Sequence, residues 1–340
     1  MLKKTKKFLI TGSAGFIGFH LAKSLLSKKY NVIGLDGFTN YYDINLKRDR
    51  SKILEKFHFF KNYEIMLEDI DAITNIFHQE KPNYVIHLAA QAGVRYSLEN
   101  PRSYLDSNLI GTFNILEVTK KFNVEHLLIA STSSVYGSNE DIPFNENQKS
   151  DMPLSFYAAT KKSNEVMAHS YSYSFKLPIT AFRFFTVYGP WGRPDMALFK
   201  FTKLILSNKP IDVYNNGDMK RDFTYVDDLV KSIINLIPII PNFNASKSRL
   251  ISGDSLSKNA PYRIVNIGNS KTVDLMNFIH ILEKVLNKKA SIQFKSMQVG
   301  DVKETHSDTT LLKKLTNFKP NTEIEAGIQK FVKWYQEYYD

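Results

Sequence analysis

The sequence predicts an α/β protein, a doubly wound parallel sheet followed by a smaller C-terminal α/β substrate domain. Three observations carry this. Short apolar runs alternate with helical stretches through about the first 185 residues. The first run opens into a glycine-punctuated turn that leads straight into a helix. The second run ends on an acid, Asp36.

In order along the chain, Phe8–Thr11 reads as a buried strand, and Phe16, Ile17, Leu21 and Leu25 give Phe16–Ser27 a helical period. Asn31–Leu35 is a second strand. Tyr84–Leu88 is another, followed by Ala89-Ala90. Leu109–Phe122 reads as helix, His126–Ala130 as a strand running into Ser131–Ser134, Tyr157–Phe175 as a long helix stopped before Pro178, and Ile179–Phe184 as a strand. Beyond this the pattern loosens. Phe223–Asp228 is expected to open a helix that returns to the first domain, and the serine-rich stretch Asn244–Pro261, with Ser246, Ser248, Ser252, Ser255 and Ser257, an exposed loop. The division is 1–186 for the nucleotide-binding domain, with 221–240 returning to it, and 187–340 mainly for the substrate.

With 43% hydrophobic and 23% charged residues the composition is globular. The chain has no cysteine, which excludes disulfides, zinc–thiolate sites and cysteine nucleophiles and fits a reducing, cytoplasmic setting. Forty-five basic residues against 34 acidic ones give a net charge of +11. No basic run is interleaved with stacking aromatics, so a lysine-rich surface that gathers an anionic ligand is preferred to a nucleic-acid face. Lys3, Lys4, Lys6 and Lys7 before Phe8–Ile10 imitate a signal peptide, but the apolar run stops at Thr11-Gly12. No stretch approaches the roughly 20 apolar residues of a membrane helix. No histidine spacing suggests a metal, and His87 reads as structural.

The turn is Gly12-Ser13-Ala14-Gly15-Phe16-Ile17-Gly18. Glycines there permit a tight turn and close approach of a pyrophosphate, and the helix start offers free N–H groups and a positive dipole end. This is a Rossmann-type dinucleotide site. A carboxylate at Asp36 accepts from ribose hydroxyls and repels a 2′-phosphate, which favours NAD over NADP.

Tyr157 and Lys161, four apart, share a helix face. A free tyrosine, with pKa about 10, is a poor base at neutral pH; a nearby ammonium and the positive nicotinamide ring favour phenolate. Thr132, at a strand end, offers a hydroxyl to share the substrate proton.

At this point the chain resembles a family. Gly12-x-x-Gly15-x-x-Gly18, Ser131–Gly137 and Tyr157-x-x-x-Lys161 are similar to the extended short-chain dehydrogenase/reductases. More narrowly, Tyr41-Tyr42-Asp43, Ala89–Ser97, Arg183–Met196, Arg221–Asp228 and Gly300-Asp301-Val302 resemble the UDP-glucuronate 4-epimerases. The resemblance implies a C4 epimerisation of UDP-glucuronate with tightly held NAD. It implies Thr132, Tyr157 and Lys161 as the catalytic residues, Gly12, Gly15, Phe16, Ile17, Gly18, Asp36, Leu88, Ala89 and Ala90 around the cofactor, Asp69 and Ile70 beside adenine, and Asn108 behind the site. Phe199, Val213, Tyr214, Arg221 and Asp301 are expected to hold UDP. Ser133, Ser134 and Thr186 are expected on the sugar carboxylate, with Arg95 and Arg193 as further pairing groups. Gln298 stands where related epimerases often carry an arginine. Tyr96 and Tyr188 are expected near the pocket. A homodimer on the Asn108–Phe122 and Tyr157–Phe175 helices is also implied.

Neighbouring chemistries differ at one pair. The resemblance places an Asp-Glu pair at Ser133-Ser134 in 4,6-dehydratases and a Glu at Ser134 in the decarboxylases. An elimination needs that acid and base, and serines do not supply them. A neutral UDP-hexose or UDP-N-acetyl-uronate 4-epimerase, and a non-enzymatic sugar-nucleotide binder, remain as alternatives.

Overall fold

The apolar runs become the centre of a seven-stranded parallel sheet. The computed structural model describes residues 3, 5–243 and 251–339. The elements are β1 (Lys7–Thr11), α1 (Phe16–Ser27), β2 (Asn31–Asp36), α2 (Ile44–Glu55), β3 (Phe60–Glu64), α3 (Ile70–Glu80) and β4 (Tyr84–His87). Two short helices follow, α4 (Tyr96–Glu99) and α5 (Pro101–Tyr104), then α6 (Gly111–Thr119), β5 (His126–Thr132), α7 (Phe156–Phe175) and β6 (Ile179–Phe184). The remainder is β7 (Thr186–Tyr188), α8 (Ala197–Leu206), β8 (Ile211–Tyr214), β9 (Lys220–Tyr225), α9 (Val226–Leu236), β10 (Tyr262–Ile267), β11 (Thr272–Asp274), α10 (Leu275–Leu286), β12 (Ile292–Lys295), α11 (Thr310–Thr316) and α12 (Ile324–Tyr339).

The sheet order is β10-β6-β5-β4-β1-β2-β3, all parallel. Because side chains alternate along a strand, Phe8 and Ile10 pack on one face with α1, α9 and α11, and Leu9 on the other with α3, α6 and α7. The chain switches direction between β1 and β4, which opens a crevice at the strands' C-terminal ends. The apolar run after the N-terminal lysines is thus β1; Lys4 lies outside the described residues.

The second part is smaller. The three strands β11-β9-β7 and the pair β12-β8 pack with α8, α10 and α12 around a third core, where Phe223 stacks on Phe278 at 4.7 Å. Among the described residues no helix is long and apolar enough to cross a membrane.

Several expectations are corrected. Phe223–Tyr225 belongs to β9, and the helix starts only at Val226, because these residues pair with β7. The helix expected from Leu109 begins earlier, with α5 running through a wide π turn at Leu105–Ile110 into α6. Of the loop expected at Asn244–Pro261, residues 244–250, with Ser246 and Ser248, lie outside the described residues. The rest is tied down: Arg263 donates to both Asp254 oxygens at 2.9 Å, and the Ser255 hydroxyl donates to Ile264 O.

Candidate active site

A cavity of 730 Å³ runs along the C-terminal ends of the sheet. On its cofactor side the wall is backbone. Gly12 has φ +72°, and a Cβ there would meet Ala89 N at 2.9 Å; a Cβ on Gly18 would sit 2.0 Å from Gly12 O. Only glycine lets the turn, α1 and the β4 end approach this closely. Thr11 Oγ1 accepts from Leu88 N and Ala89 N, both at 3.1 Å, and so fixes the Leu88–Ala90 wall. His87 bridges Thr11 and Thr112 within the core, and burial lowers its pKa to about 3, a structural role. Gly15, Phe16 and Ile17 complete the turn's face. Asp36 accepts from Ala14 N at 3.0 Å and Phe38 N at 2.9 Å, one bond to each oxygen, which leaves lone pairs for ribose hydroxyls. A dinucleotide fits this wall: narrow backbone, a helix start and a free acceptor.

Asp69 and Ile70 are not brought to the cavity. The Asp69 carboxylate caps α3, accepting from Ala72 N at 2.9 Å, and Ile70 packs against the α3–α6 core. Met66, Leu67 and Glu68 line that end instead.

The reacting end sits where β5 stops. Thr132, Ser133 and Ser134 leave the strand through a tight turn, with Ser134 N donating to Thr132 Oγ1 at 3.2 Å. α7 starts beside it, capped by Ser155 on Ala158 N at 3.1 Å, and presents Tyr157 and Lys161. Lys161 Nζ donates to Ala130 O at 2.9 Å, and burial lowers its pKa to about 8. Burial pushes the Tyr157 phenol up, while a hydrogen bond with Thr132 and the charge of Arg193 pull the other way. The sequence reading expects a nearby ammonium and the nicotinamide ring to favour phenolate; in the fold Lys161 Nζ is bonded to Ala130 O, and the opposing influences on the phenol are Thr132 first and Arg193 second.

Arg193 is clamped on the carboxylate of Asp195, which also accepts from the Tyr41 hydroxyl at 3.2 Å. Tyr41 and Asp195 stand inside the family-like stretches, but no motif singles them out, since their pairing arises only in the fold. Asn108 lies behind the cavity, not in it: it bonds Gln91 N and O and Thr160 Oγ1 at 2.8–3.0 Å and ties the cavity wall to α7. The π turn is what aims it inward.

At the far end Arg95 lies 4.5 Å over the Tyr214 ring and 3.3 Å from Asp301. Arg221 faces the same group: burial lowers its pKa, Asp301 raises it, and Arg95 lowers it further. Two guanidiniums around one carboxylate leave a net positive charge, which suits an anionic ligand. Arg95 therefore belongs to this end and not to Arg193's. Thr186 and Tyr96 line the cavity. Phe199 and Val213 do not; both are buried in the third core, because β8 alternates and α8 turns the Lys200 face outward. Tyr188 is likewise core. Gln298 keeps a buried Oε1 without a hydrogen-bond partner among the described residues.

Comparison with known proteins agrees with this geometry. A family model described as GDP-mannose 4,6 dehydratase matches residues 9–331. The chain is 51% identical over 333 residues to a probable UDP-glucuronate 4-epimerase of Rhizobium meliloti, covering 98% of each, and 52% identical over 335 residues to protein CapI of Staphylococcus aureus, covering 98% of this chain and 99% of that one. Its fold superposes on a crystal structure of UDP-glucuronic acid 4-epimerase from Bacillus cereus in complex with UDP-glucuronic acid and NAD, with a TM-score of 0.87, 31% identity, and 98% and 100% of the two chains covered. The chain belongs to the UDP-glucuronate 4-epimerase family.

Proposed function

We propose that the protein inverts carbon 4 of UDP-glucuronate to give UDP-galacturonate, through a 4-keto sugar that stays bound. The observation that carries this is the single cavity joining the glycine turn, the Thr132–Tyr157–Lys161 group and the Arg95–Arg221 anion site. The glycine wall and Asp36 would hold NAD, which would supply a hydride acceptor and donor at carbon 4. Tyr157 holds and moves the proton of the 4-hydroxyl, and Thr132 shares it. Lys161, which lines the cavity beside Tyr157, would hold the nicotinamide ribose. Arg95, Arg221 and Tyr214 anchor the diphosphate end while the flat keto sugar turns over. Ser133, Ser134 and Thr186 hold the uronate carboxylate, with Arg193 as the nearby cation.

The family model's description names a dehydratase, yet Ser133 and Ser134 line the cavity where an elimination would need an acid and a base. The protein is a cytoplasmic enzyme in this reading, and a homodimer whose interface lies on α6 and α7. Phe113 on α6 and Val166 and Tyr173 on α7 support that face, being 44, 59 and 52% exposed.

Product analysis after incubation with UDP-glucuronate, UDP-glucose and the N-acetyl uronate tests the reading. UDP-galacturonate should form fastest, without added NADH. Preference for UDP-glucose would favour a neutral-hexose epimerase, and binding without turnover a carrier.

A further inference from the structure

The loop over residues 189–196 carries Arg193 and is held from behind by a residue with no part in the scheme above. Arg50, on α2, is fully buried. Its acceptors are all neutral oxygens: through Nη1, Ala14 O and Tyr42 Oη at 2.9 Å; through Nη2, Trp191 O at 2.6 Å and Gly192 O at 3.4 Å. Its Nε has no partner among the described residues. Burying a guanidinium with no carboxylate partner among the described residues is costly, so its contribution here is geometric and not an ion-pair attraction. The fork spans two functional segments: Ala14 lies in the glycine turn, and Trp191-Gly192 lead directly into Arg193.

The loop itself is under tension. Trp191 has φ +60°, unfavourable for a bulky side chain. Its ring is wedged against Phe19, Trp334 and Tyr338 at 5.5, 5.2 and 5.0 Å, and Pro190 O meets His20 Nε2 at 2.8 Å.

We propose that Arg50 is a positioning residue that locks the glycine turn to the Arg193 loop, keeping sugar carbon 4 in register with the nicotinamide while the carboxylate stays restrained. It touches neither cofactor nor sugar and acts through Arg193. The inference rests on the epimerase reading. Its failure mode is specific. A loosened 4-keto uronate breaks its bond from carbon 5 to the carboxylate and releases CO₂. The electron pair enters the carbonyl as an enolate, which takes a proton at carbon 5, and a 4-keto pentose nucleotide leaves NADH behind.

The test compares Arg50→Lys and Arg50→Met with wild type, each rate normalised to bound NAD. Wild type should make UDP-galacturonate and release almost no CO₂; failure there refutes the epimerase reading itself. Both variants should lose at least tenfold in kcat per bound NAD, with KM for UDP-glucuronate within twofold, and should leak keto-pentose and NADH. The lysine variant should lose less. If the loss merely tracks lost NAD or lost folded protein and the loaded fraction partitions as wild type, the proposal is overturned. Should neither variant fold, His20→Ala loosens the same loop from its other side. The same leak is expected there, and a wild-type partition would overturn the proposal.

Discussion

The two ends of the cavity are built in opposite ways. The cofactor wall is backbone, shaped by Gly12 and Gly18 and steadied by Thr11 and Asp36, all within the first 36 residues. The anion end is side chains, with Arg95, Tyr214, Arg221 and Asp301 converging from four separated segments. Backbone recognition is written locally, while side-chain recognition exists only once the second part has folded against the first. Tyr157 stands between them, and substitutions there and on either side should separate the two.

The largest effect is expected at the junction. Tyr157→Phe removes the oxygen that moves the proton and nothing that anchors either ligand, so turnover should fall by about 10²–10⁴-fold, while NAD and UDP titrations stay near wild type. Survival of a tenth of the wild-type rate would show that another group is the base.

The next largest lies on the sugar side. Hydrogen bonds to a charged group contribute about 1.5–3 kcal/mol each. Ser133→Ala or Thr186→Val should therefore slow UDP-glucuronate by at least about tenfold while any residual UDP-glucose turnover changes little. Mass analysis should also detect pentose product or free NADH. Equal loss on both sugars would move the carboxylate clamp elsewhere.

Lys161 gives a prediction of opposite sign for stability. Its folded pKa of about 8 lies below its ordinary 10.5, so the folded state disfavours the proton. The cost is full below pH 8 and fades as pH rises from 8 to 10.5, at about 1.4 kcal/mol per unit of difference. Lys161→Met should abolish activity yet stabilise the protein at pH 7 by about 1–2 kcal/mol after the bond to Ala130 O is lost. Thermal melts across pH 7–10.5 should show the advantage shrinking; a constant or growing one contradicts the assignment.

The smallest effects pair two acids. Asp36→Ala should weaken NAD and narrow the discrimination against NADP. Asp69→Ala should cost only the α3 cap, about 1 kcal/mol, with NAD affinity unchanged in titration. A loss of NAD binding in the Asp69 variant would return it to the adenine site.

The same contrast explains what the sequence made legible. β1, β2, β4, β5 and β6 are apolar runs buried on both faces, and each was found to within two residues. β3 is a sheet edge, polar and half exposed, and carries no apolar run; β10, the other edge, is buried, but Arg263 and Asn266 interrupt its apolar residues and it follows an irregular loop. The Leu105–Ile110 π turn has no sequence period to announce it, so Asn108's inward aim was invisible. Asp69 lies off the cavity with its carboxylate on the α3 start, because an acid before a helix serves equally as a cap. Arg95's placement at the anion end, with Tyr214 and Asp301, required the second part to be folded against the first.

The most direct test of the central claim uses UDP-glucuronate carrying deuterium at carbon 4, in ordinary water and without added cofactor. Removal and return of hydride on one retained NAD predicts UDP-galacturonate with the deuterium still at carbon 4. Product that has exchanged this label for solvent hydrogen would mean proton abstraction at carbon, and would contradict the account.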